Sequence, residues 1–167
     1  MRIGIWLATA AAALFAVVLP ASGEPQPASV PVGDLLLRYD AARWRVQTAG
    51  TTTEIHAVGA HASDPPVTIA IAPDTGGCTP AAMLARASLF HDHAWEHDVD
   101  TIARPGFDLH VATVELGCRN WTGSPVFACL AHQGQAYTIT ANPGGCQHTP
   151  PRYDSIVLDM LMGLEVP

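Results

Sequence analysis

Hydrophobic and polar positions change period several times along this chain. After an apolar run over residues 3–19, "DLLLRYD" (34–40) and "RWRVQT" (43–48) read as two short strands around a turn. "TTTEIHAV" alternates, and "PVTIAIAP" is a β-branched run closed by proline, so both predict strands. Thr79-Pro80 then supplies a helix cap and a first-turn proline, and the spacing predicts a middle helix running on through "HDHAWEHDVD" (91–100). "FDLHVATVELGC", "PVFACLAHQ" and "QAYTITAN" predict three consecutive antiparallel strands, the last two joined by a tight turn at Gln133-Gly134. Thr149-Pro150-Pro151 opens a last helix with Ile156, Leu158, Met160, Leu161 and Leu164 as its apolar residues. The expected fold is α+β: a mainly antiparallel β-sheet with a middle helix and a C-terminal helix packed on it.

The segment "LLLRYDAARWRV" resembles the opening hairpin of Mog1/PsbP-like proteins, where an aromatic-containing strand leads through a short loop to a tryptophan. The order of elements over most of the remaining chain is similar too. The resemblance implies an α/β/α arrangement and an accessory or assembly role. It carries no catalytic residue onto this chain.

The ends of the pattern concern location. Arg2, the apolar run and Ala21-Ser22-Gly23 have the form of a secretory signal (residues 1–23), with cleavage expected after Gly23. Residues 24–32, "EPQPASVPV", read as a flexible tether, and residues 33–167 as one domain. The formal charge is −7, and losing Arg2 takes it to −8. Every basic residue is arginine. An acidic chain with scattered arginines has no footprint for nucleic acid, and no adhesion to anionic membrane is expected after cleavage.

Four cysteines in an exported chain point to disulfides. A two-residue turn at Gly123-Ser124 would pair Cys118 with Cys129. The similar contexts "GGCTP" and "GGCQHTP" then leave Cys78 with Cys146. The expected bridges are Cys118–Cys129 and Cys78–Cys146. There is no C-x-x-C spacing for a cysteine zinc site.

The candidate chemistry lies in "HDHAWEHDVD". On a helix of about 100° per residue, Asp92, His93, Glu96, His97 and Asp100 fall on one stripe. His93 and His97, four apart, suit zinc or copper. Asp92, Glu96 and Asp100 suit calcium or a lanthanide, which prefer oxygen donors. No basic residue lies between Arg86 and Arg104 to neutralise the carboxylates. H-E-x-x-H is absent, and the other histidines are dispersed, with His61 and Asp64 in a loop able to add donors.

These features predict an exported, non-enzymatic metal-binding protein that captures a metal ion or hands it to another periplasmic protein. A second copy bridged through the ion would be another partner. The alternative is a metal-free binding or accessory module with Trp95 and Trp121 as contact residues. A metal-assisted hydrolase stands behind both, because the stripe supplies neither a positioned general base nor a pocket.

Overall fold

The computed structural model describes residues 24–59, 65–90, 94–118, 122–146 and 153–167. Eleven strands and two helices are present among them: β1 (Pro27–Val32), β2 (Leu35–Asp40), β3 (Trp44–Ala49), β4 (Thr52–Ala57), β5 (Val67–Pro73), α1 (Pro80–Ala87), β6 (Ala94–Arg104), β7 (Phe107–Gly117), β8 (Thr122–Gly123), β9 (Val126–His132), β10 (Gln135–Ala141), α2 (Tyr153–Leu161) and β11 (Leu164–Glu165). The large sheet runs β3-β4-β5-β10-β9-β7-β6, with β8 on β7, and a small sheet runs β1-β2-β11. All pairings are antiparallel, and the class is α+β as the sequence pattern predicts.

Strand alternation divides the core in two. On β7, Phe107, Leu109 and Val111 enter one cluster, while Ala112, Val114 and Leu116 enter the other. On β9, Val126, Ala128 and Leu130 oppose Phe127 and Cys129 in the same way. Both strands are therefore buried on two faces, which explains the unbroken apolar run in "VFACLA". The larger cluster lies between the large sheet, the small sheet and α2, the last through Tyr153, Val157, Met160 and Leu161. The smaller lies under α1, through Met83 and Ala87.

Tight turns fix the hairpin registers. Gly33, with φ +60, turns β1 into β2, and a Cβ there would stand 2.8 Å from the Tyr137 hydroxyl. That hydroxyl accepts the Asp34 N–H at 3.0 Å, so Tyr137 ties the small sheet to the large one. Burial pushes the Tyr137 phenol above its ordinary pKa. Gln133 and Gly134, at φ 48 and 76, form the expected turn between β9 and β10 with the positive φ pair of a type I′ turn.

The tether expectation for residues 24–32 fails at β1, where residues 27–32 pair with β2 over six positions. The prolines are compatible because β1 is an edge strand and both Pro27 and Pro31 are odd-numbered. The Ala41 N–H to Gln26 C=O bond, 2.8 Å, shows that even positions of β1 bond to β2. The missing proline N–H groups are therefore on the outer side, where a strand tolerates them. Val32 is buried, with Val30 and Ala28 half-buried.

The disulfide pairing also differs from the expectation. The bridges are Cys78–Cys129 and Cys118–Cys146, with Cα–Cα separations of 5.6 and 5.7 Å. Gly123-Ser124 is not the turn. Gly123 already pairs with Leu116, and Val126 pairs with Thr113, so the chain reverses between Gly117 and Thr122. Cys129 consequently stands opposite His110, eight positions along β7 from Cys118. That is roughly 26 Å of strand, far beyond the reach of a disulfide. The Gly-rich segment before Cys146 instead closes on the end of β7. It packs so tightly that a Cβ on Gly123 would meet the Gly145 carbonyl.

Two expectations follow. Non-reducing peptide mapping should recover Cys78–Cys129 and Cys118–Cys146, each bridge worth about 4 kcal/mol by loop closure. A Cys118–Cys129 peptide pair would contradict the register between β7 and β9. Asp40 accepts N–H bonds from Gln26 and Ala42, at 2.8 and 2.9 Å, which hold its carboxyl below the ordinary aspartate pKa. Its stabilising contribution is present above the ordinary aspartate range and is lost as pH falls through the depressed pKa. Thermal melts should therefore show a gap between wild type and Asp40→Asn that narrows on acidification. A gap independent of pH would remove the carboxylate from the account.

Candidate functional site

The acidic, histidine-rich stretch is not helical where it is described. Helix α1 begins as expected, with the Thr79 hydroxyl accepting the Ala82 N–H at 3.1 Å and Pro80 in the first turn. It ends at Ala87, followed by a 3-10 turn over Ser88–Phe90 in which the Ser88 hydroxyl donates to the Leu84 carbonyl at 2.8 Å. From Ala94 the chain is β6, an edge strand that pairs with β7 from Glu96↔Glu115 to Arg104↔Phe107. One register offset lies between Ala94 and Glu96.

Two features of the sequence favour this outcome. Val99, Thr101 and Ile102 are β-branched, and Pro105-Gly106 makes the hairpin turn, with Gly106 at φ +89. The partner strand β7 is apolar on both faces. A helix over 94–104 would leave its outer edge unpaired.

The helical stripe is therefore corrected. Glu96, His97 and Asp100 are carried by β6, and Asp92 and His93 lie outside the described residues. On a helix, positions four apart are about 6 Å apart. On a strand, Glu96 and Asp100 are separated by roughly 13 Å along the chain. The i, i+4 spacing of a helix therefore does not apply to Glu96 and Asp100, and His93, the i, i+4 partner of His97, lies outside the described residues. Among the described residues no group of three or more His, Cys, Asp or Glu side chains is arranged to hold a metal ion. His61 and Asp64 lie outside the described residues, as does Trp121, while Trp95 is carried by β6.

The β6–β7 register adds Glu115, a residue absent from the helical stripe. Glu96 is the register partner of Glu115, and Asp98 and Asp100 follow at two-residue steps opposite Thr113 and Val111. Glu115 and Asp100 are exposed, and neither has an ion pair among the described residues. The signal that could have found Glu115 was the alternation in "ATVELG" read against a Pro-Gly hairpin.

The turn end of the same hairpin is held by cationic and imidazole groups. Arg104 donates to the Met162 and Leu164 carbonyls at 2.8 and 3.3 Å, tying the hairpin to the residue after α2 and to the start of β11. The His132 Nδ1–H donates to the Gly106 carbonyl at 3.1 Å. His110 bonds through Nδ1 to the Thr101 hydroxyl at 2.9 Å. It stands in one cross-strand row with Cys129, Thr138 and Ala70.

That row crosses the α1 side of the large sheet. Helix α1 packs on β7, β6 and β9. Beyond it the face continues over β10, β5 and β4, where the exposed Glu54 stands among small side chains: Thr138 and Thr140, Thr68 and Ala70, and Thr52. These are half-buried except for Ala70, which is exposed. Cys78, bridged to Cys129, marks where the covered part of the face ends.

No family model matches the chain, and no curated protein matches it. No described helix is long and apolar enough to cross a membrane.

Proposed function

We propose that this is an exported binding protein of an oxidising compartment that holds a hard cation through carboxylates on the β6–β7 hairpin. The observation that carries the reading is the Glu96↔Glu115 register, with Asp98 and Asp100 in sequence along the same edge strand. Like charges directly opposite each other weaken a sheet, and a bound cation reverses that penalty. The period of two also separates position 97 from positions 96, 98 and 100, which favours oxygen donors over imidazole. Of the two sets of ions the sequence leaves open, this reading takes calcium or a lanthanide over zinc or copper. Asp92, which precedes β6 in the sequence, is proposed as a further donor.

Two disulfides fit export, with residues 1–23 as the cleaved signal. An open site at a sheet edge suits capture and transfer to another exported protein, the accessory role implied by the likeness to Mog1/PsbP-like proteins. A second reading, a metal-free binding module, rests on the threonine- and alanine-lined face that α1 leaves open.

Terbium luminescence and calcium calorimetry test the proposal. Glu115→Gln and Asp100→Asn should each weaken binding at least tenfold, about 1.4 kcal/mol. Asp159→Asn, on an exposed position of α2, should leave it unchanged. Without the ion, Glu115→Gln should melt slightly higher than wild type, since it relieves repulsion. Binding should persist down to about pH 5, where histidine ligation would already have faded. Zinc binding untouched by either carboxylate substitution, or no binding of any ion, would overturn the proposal and leave the open face as the functional surface.

A further inference from the structure

The two sheets have four edges, and three of them carry devices against pairing. β1 has Pro27 and Pro31 on its outer side, β11 is two residues long, and β6 carries Glu96, Asp98 and Asp100 and a register offset. Natural sheets blunt their edges by such means. β3 has none of them. Its six residues, "WRVQTA", contain no proline, glycine or acid, and its pairing with β4 is regular throughout.

Among the described residues no strand pairs with its outer side, and the direction of the groups there follows from two hydrogen bonds. The Val58 N–H donates to the Arg43 carbonyl at 2.7 Å, so odd positions on this strand bond to β4. The Ile71 N–H to Thr51 carbonyl bond, 2.8 Å, gives the same parity on β4, whose odd positions bond to β5. The N–H and C=O groups of Trp44, Val46 and Thr48 therefore point outward along the edge. Arg45, Gln47, Thr48 and Ala49 are exposed.

We propose that β3 is the seam of a two-fold dimer, in which it pairs antiparallel with β3 of a second copy, Val46 opposite Val46. This register bonds the outward groups of Trp44 to those of Thr48 on the other copy. It continues the apolar side of the sheet across the seam, since Trp44 belongs to the larger core and the half-buried Val46 packs against it. It also satisfies charge. Arg45 meets Gln47, and Arg43 meets Ala49, so no arginine faces an arginine. Gln47 is in turn the partner of Glu54 on β4, so Arg45 of each copy lies in the same cross-strand row as Glu54 of the other. The neighbouring register centred on position 45 would set arginine against arginine. In a molecule of net charge −7, this arginine-bearing edge is also the side on which two copies repel least.

Sedimentation velocity across micromolar to millimolar protein, with a chelator present, tests this independently of any bound ion. Wild type should dimerise. Val46→Lys and Val46→Asp should each be monomeric, because they place like charges opposite each other, and an equimolar mixture of the two should recover a dimer. Thr48→Pro removes an outward N–H together with the hydroxyl bond to the buried Thr53, 3.2 Å, and should give a folded monomer, whereas Thr48→Val, which loses only the hydroxyl bond, should still dimerise. A wild type that stays monomeric, a Thr48→Pro variant that still dimerises, or a mixture that fails to associate would each overturn the proposal.

Discussion

β7 is the strand on which the rest of the molecule depends. It is buried on both faces, so it contributes to both cores, and it pairs with β6 on one side and with β8 and β9 on the other. A strand in that position has no freedom of register. A slip of one residue would exchange Val111 with Ala112 and turn every side chain to the wrong core. Fixing β7 fixes which residue of β6 stands opposite Glu115 and which residue of β9 stands opposite His110. The carboxylate pair and the position of Cys129 both follow from that single strand.

The disulfides secure elements that could not hold their places alone. Helix α1 has eight residues and buries only Met83 and Ala87. Isolated helices shorter than about 12–15 residues are marginal in water. Cys78–Cys129 anchors its N-terminal approach to the centre of the sheet, and loop closure over 51 residues is where such a bridge has a large effect. Cys118–Cys146 does the same for the glycine-rich segment after β10, whose Asn142 is buried with φ 49 and donates to the Gly145 carbonyl at 2.7 Å. The two bridges interleave in sequence, so each constrains a loop that contains one end of the other.

Much of this was legible in the residues. Strands with clear alternation or β-branched runs, β2 to β5, β7, β9 and β10, lie where their patterns place them, and the Thr79-Pro80 cap starts α1. Where the structure departs from the local pattern the cause is shared: a partner distant in sequence decides. "HDHAWEHDVD" satisfies a helical wheel, but β7 offers Ala94–Arg104 a long unpaired edge, and tertiary pairing overrides that local pattern. Gly123-Ser124 is a good turn dipeptide, yet its neighbours are already committed to β7. The prolines of β1 argued for a tether because parity and edge position are invisible until a partner strand is known. The candidate site suffered most, since Glu115 is distant in sequence from the stretch that drew attention to it.

The electrostatic layout follows the same framework. One edge of the large sheet, β6, is acidic, and the opposite edge, β3, bears Arg45 beside Arg43, so the charge of the molecule is divided across the width of a single sheet. The β6–β7 register is what sets Glu96 opposite Glu115, with Asp98 and Asp100 following at two-residue steps on the same strand. Nuclear Overhauser contacts across the hairpin examine it directly. The account predicts cross-strand backbone contacts linking Asp98 to Thr113 and Asp100 to Val111. Sequential contacts three residues apart through 94–100, with no contact to β7, would mean that the stretch is a helix and would contradict the account at its base.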